Sequence, residues 1–71
     1  MNEKQLEYVI FCIENLAERC GKTGAEMHAL LKKSALLTDY VIPSYAALHT
    51  QSKQYIVDDI LAVMRERGLV A

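Results

Sequence analysis

Two histidines, two cysteines, an adjacent pair of aspartates and a few serines are the side chains of this 71-residue chain from which a chemical site could be built. A zinc site takes three or four ligands at local spacings such as His-x₃-His or Cys-x₂-Cys. Neither spacing occurs here, and Cys20, His28, His49 and Asp58 would converge only through a tertiary accident. No metal or other cofactor is expected. Asp58 and Asp59 invite a reading as paired catalytic carboxylates, yet neighbours on a helix diverge by about 100°, so they serve better as the charged flanks of an apolar helix. Ser34, Ser44, Ser52, Cys12 and Cys20 are nucleophiles without a recognisable base nearby in sequence. There is no glycine-rich phosphate loop, and the three glycines all read as helix caps. A chain this short also has little material with which to enclose a substrate pocket. The expectation is a protein that is not an enzyme.

The elements that would position these residues are helical. Asn2 with Gln5 reads as an N-cap and its reciprocal partner, and Gly21 closes the first helix, predicted over 2–20. Thr23 with Glu26 repeats the signal and opens a second helix over 24–34, so close that the two must pack as a hairpin or corner. Leu36, Leu37, Tyr40, Val41 and Ile42 are apolar without clear periodicity. Pro43 lacks an amide donor and disfavours helical geometry before it, which predicts a turn or 3₁₀ segment over about Thr38 to Val41 and a short third helix over 43–50. Ser52 caps a fourth helix over 52–67, with Ile56, Val57, Ile60, Leu61, Val63 and Met64 forming an apolar arc broad enough for two neighbours, and Gly68 and Leu69 closing it. The whole chain, 1–71, is read as one small all-α four-helix domain.

Its size and composition point outward. A single core in so short a chain leaves only about 3–5 kcal/mol of stability, while the hydrophobic share reaches 52%. In the first helix Leu6, Val9, Ile10, Ile13, Leu16, Ala17 and Cys20 follow the spacing of a core face. Tyr8, Phe11 and Cys12 then project to the opposite side, with Asn15. That outer face, Tyr8, Phe11, Cys12 and Asn15, is the expected interface, either with a second copy in a homo-oligomer or with a small protein partner. The function predicted is thus a protein–protein interaction module. The alternative is a small helix-turn-helix-like regulator of DNA, with residues 43–51 as the reading helix. Ser44, His49, Thr50 and Gln51 would contact bases, but the segment carries no Arg or Lys, and the net charge is −1, so nucleic acid is not the expected partner.

Cys12 and Cys20 lie roughly 12 Å apart on one helix and cannot bridge each other, which fits a reducing compartment. The N-terminus is polar and acidic, unlike a signal peptide, and no apolar run approaches the roughly 20 residues that span a bilayer. A cytoplasmic protein with no membrane association is expected. Tyr40 and Tyr45 are expected to bury their rings with each hydroxyl at a polar partner, and His49-Thr50-Gln51 to close the third helix and set its angle to the fourth.

The run Asp39-Tyr40-Val41-Ile42-Pro43-Ser44-Tyr45, followed by Leu48-His49-Thr50-Gln51 and Tyr55-Ile56-Val57-Asp58-Asp59-Ile60, resembles a family of very short bacterial proteins known only as a domain of unknown function. The opening Gln5-Leu6-Glu7-Tyr8-Val9-Ile10-Phe11-Cys12-Ile13-Glu14 is similar as well, so the likeness covers almost the whole chain. Ala35 stands where the resemblance leads one to expect a glycine. The family carries no agreed activity; what it implies is a stand-alone cytoplasmic domain working with a protein encoded nearby.

Overall fold

The computed structural model describes residues 1–70, which form helical segments and no strand. In chain order these are α1 (Glu3–Cys20), α2 (Gly24–Lys33), a five-residue π-helical turn (Leu37–Val41), α3 (Tyr45–Leu48) and α4 (Lys53–Glu66). Local chemistry sets most of the ends. The Asn2 side chain accepts from the Gln5 amide at 2.8 Å while Gln5 Oε1 accepts from the Asn2 amide at 3.1 Å. Thr23 and Glu26 repeat this reciprocal pair at the start of α2, and those bonds from Thr23 hold the Glu26 carboxyl below the usual carboxylate range. Gly21 ends α1 with φ 65°, and Gly68 follows α4 with φ 72°, both in the left-handed region. The Leu69 amide then reaches back to the Met64 carbonyl at 2.9 Å, the expected closure.

α2 and α4 both pack on α1, and α4 buries Ile56, Val57, Ile60, Leu61 and Met64 along its broad inner face. Met27 and Leu31 enter the same core from α2, with Leu36 and Val41 from the segment that follows. The core face of α1 differs from the expected one. It consists of Tyr8, Val9, Cys12, Leu16 and Ala17; Ile13 and Cys20 are only half-buried, and Leu6 and Ile10 stand in solvent. The helix is turned by roughly 65° about its axis relative to the expected stripe. What decides between the two faces is an aromatic ring whose hydroxyl has a partner inside: burying Tyr8 removes a large apolar area from water, and Ser44, far along the chain, satisfies its polar tip.

The stretch before Pro43 also departs from expectation. Ile42 lies in the right-handed helical region (φ −62°, ψ −49°), and its amide bonds the Leu37 carbonyl five residues back at 3.0 Å. The chain therefore winds helically through Pro43 instead of turning before it, and regular α-helix is confined to the single turn Tyr45–Leu48. The wider π turn is the reason this is tolerated, because it relieves the crowding that a proline ring imposes on the carbonyl four residues earlier and absorbs the missing amide.

Between α2 and the π turn, Ala35 occupies the left-handed region at φ 64°, the only residue other than glycine with positive φ among those described. A Cβ there costs about 1–2 kcal/mol, of which the greater freedom of an unfolded glycine returns about 0.4–1 kcal/mol. Ala35→Gly is thus expected to raise the urea unfolding midpoint by the equivalent of about 0.5–1 kcal/mol. An unchanged or lower midpoint would contradict the strain.

Candidate functional site: an aromatic groove

Tyr8 and Tyr45 meet edge to face, their ring centres 5.4 Å apart at 82°, and Tyr45 stacks on the His49 imidazole at 4.4 Å and 13°. Helical spacing produces the second contact, since residues four apart share a side. His49 Nδ1 lies 2.7 Å from the Tyr45 carbonyl, which can only accept, so Nδ1 carries a proton and donates it there. The same carbonyl accepts the His49 amide at 3.0 Å, and Ser52 then caps α4 by accepting from the Tyr55 amide. His49 thereby closes α3, as expected.

Beneath these rings runs a buried chain of hydroxyls. Ser44 Oγ donates to the Val41 carbonyl at 2.7 Å, which uses its one proton, so the Tyr8 hydroxyl donates to Ser44 at 2.8 Å. Burial pushes the Tyr8 hydroxyl well above its ordinary value against the opposing bond from Ser44, and pushes the Cys12 thiol up to about 11. A buried thiol held protonated in this way is a packing group and not a nucleophile. Tyr40, half-buried, donates to Asp59; chiefly that bond, and burial after it, raises the hydroxyl to about 12. Asp58 points elsewhere, to an exposed ion pair with Arg19 at 3.0 Å. The two aspartates thus divide as adjacent helix residues must.

Above the hydroxyl chain lies an open groove of about 630 Å³. α1 contributes Lys4, Glu7, Tyr8 and Phe11, α3 and its exit contribute Tyr45, His49 and Gln51, and α4 contributes Lys53 and Ile56. The floor is ring and aliphatic surface; the rim is charged. Of the residues expected on an outer face of α1, Tyr8 and Cys12 are buried in the chain's own core, and Phe11 and Asn15 are half-buried, with the Asn15 side chain donating to the Phe11 carbonyl at 2.8 Å. The expected four-residue face is corrected on that ground: Phe11 and the edge of Tyr8 remain as groove wall, while Cys12 is withdrawn from contact. Ile56, Lys53 and Tyr45 are not among the expected site residues, because only the packing of α4 on α1 and the Tyr8–Tyr45 contact bring them to Phe11. The Tyr45–His49 spacing was the one local signal for them.

Of the four side chains a DNA-reading helix would offer over residues 43–51, Ser44 is buried in the hydroxyl chain and His49 is tied back to Tyr45. Among the described residues, no three His, Cys, Asp or Glu side chains are grouped so as to hold a metal ion, and no helix is long and apolar enough to cross a membrane.

The model of the family DUF3791, described as a protein of unknown function, matches residues 7–67. The chain belongs to this family. The matched span takes in α2, α3 and α4 and most of α1. No curated protein and no solved structure gives a significant match to the chain.

Proposed function

We propose that this DUF3791 chain is a non-enzymatic interaction module whose groove receives an apolar side chain of another protein. One observation carries the reading: Phe11, Tyr8, Tyr45 and Ile56 line an open apolar floor. The Tyr8 hydroxyl is turned inward to Ser44, leaving ring surface toward the groove. Rigid aromatic walls of this kind lose little side-chain entropy on binding, which is why such residues dominate the energetics of protein contacts. The free thiols Cys12 and Cys20 support a reducing, cytoplasmic setting.

The test is affinity capture from the native host with the full chain, followed by calorimetry with each purified candidate partner. Phe11→Glu places a charge in the apolar floor and is expected to weaken binding at least about tenfold, and Lys53→Glu on the rim by less. Circular dichroism checks that both variants keep the wild-type helicity. A purified partner that binds wild type and folded Phe11→Glu equally would remove the groove from the interaction.

A further inference from the structure

Leu6 and Ile10, one turn apart on α1, are 48% and 47% exposed, and Met1 beside the helix start is 69% exposed. Glutamates follow them along the helix. Glu3 precedes Leu6 by three residues, Glu7 precedes Ile10 by three, Glu14 follows Ile10 by four and Glu18 follows Glu14 by four, which puts all of them along one flank of the apolar pair. The four carboxylates are exposed, and none is in an ion pair among the described residues. Phe11 and Lys4 of the groove lie beyond this same flank, and Glu7 borders both the apolar pair and the groove. The longest helix therefore presents, beside the groove, an aliphatic edge bordered on one side by negative charge.

We infer that this face binds a basic amphipathic helix of another protein. Leucine-like side chains spaced three or four residues apart would lie across Leu6 and Ile10, with Lys or Arg side chains following the glutamates. A helix fits because α1 offers a straight ridge of side chains and not a cleft, and packing along a ridge is how two helices bury a short aliphatic seam. Charge chooses the sign of the partner. It also argues against a second copy: in an antiparallel pair about a two-fold axis the same flank meets itself, so the glutamates of one chain would face those of the other. The inference rests on α1 and shares only Glu7 with the groove.

The probe is a synthetic 18-residue helical peptide with leucines at helical spacing and lysines on both flanks, compared with the same peptide bearing glutamates for lysines. Fluorescence anisotropy at low salt is expected to show binding of the lysine peptide to the full chain and none of the glutamate peptide. Glu3→Lys/Glu14→Lys should weaken the lysine peptide about tenfold and gain affinity for the glutamate peptide. Leu6→Gln/Ile10→Gln should abolish binding of either, with helicity retained because both residues lie outside the core. Reversal of exposed charges elsewhere, in Asp39→Lys/Glu66→Lys, should leave the lysine peptide's affinity unchanged. Equal loss in Asp39→Lys/Glu66→Lys would mean only diffuse attraction between opposite charges and would overturn the proposal. So would equal binding of the two peptides, or a wild-type dimer in sedimentation that Leu6→Gln/Ile10→Gln converts to monomer.

Discussion

Leu36→Ala is expected to take away most of the stability of the domain. Leu36 lies in the short connection between α2 and the π turn, and its side chain is completely buried among residues of α1, α2 and α4. Truncating a fully buried leucine costs about 2–5 kcal/mol, the transfer energy of the lost methyl groups plus that of the cavity. A domain of this size has only about 3–5 kcal/mol in hand. The melting temperature should fall by about 10–30 °C, given about 4–8 °C per kcal/mol for a small domain. Leu37, the next residue, is half-buried, and Leu37→Ala should shift the melt by less than half as much. Thermal unfolding of both variants, followed by circular dichroism, provides the check. A Leu36→Ala protein melting within a few degrees of wild type would show that the connection is not part of the core.

That segment also marks the limit of what could be read from the residues alone. Capping pairs such as Asn2–Gln5 and Thr23–Glu26, and the glycines after α1 and α4, are interactions between near neighbours, and they made the long helices and their order legible. The path from Ser34 to Thr50 was not legible in the same way. Its geometry depends on how a π turn accommodates Pro43 and on the burial of Leu36 and Val41, none of which has a local periodicity. The face of α1 failed for a related reason. Apolar side chains cover so much of the helix that two stripes satisfy the spacing equally, and the choice between them rests on Ser44, whose hydroxyl is 2.8 Å from that of Tyr8 and 36 residues away in sequence. The groove inherits this dependence: Phe11 was singled out, but its surroundings are set by long-range contacts with α3 and α4. Had Ser44 been recognised as a partner for a buried tyrosine instead of a spare nucleophile, the correct face would have followed.

The same buried groups predict an alkaline transition. Cys12 is raised from an ordinary 9.0 to about 11 chiefly by burial, with the neighbouring Tyr8 hydroxyl opposing; Tyr8 is raised in the same sense, again chiefly by burial. Both groups are neutral when protonated, and the folded chain holds their protons more tightly than the unfolded chain does. Their contribution is therefore complete below about pH 9 and is lost as the pH rises through about 11, because over that window the unfolded chain has released protons the folded one retains. For Cys12 alone the two-unit difference amounts to about 3 kcal/mol, with Tyr8 adding in the same direction above pH 10. Against the small reserve of a domain this size, that should bring the chain close to unfolding by about pH 11. Urea midpoints measured at pH 8, 9.5 and 10.5 should fall steeply for wild type. Cys12→Ala should start lower, because it leaves a small cavity, but decline less steeply across the same interval, since the unfolded chain no longer has that thiol to ionise. A wild-type midpoint that stays flat to pH 10.5, or a Cys12→Ala chain with an unchanged slope, would show that the thiol is not held protonated by the core.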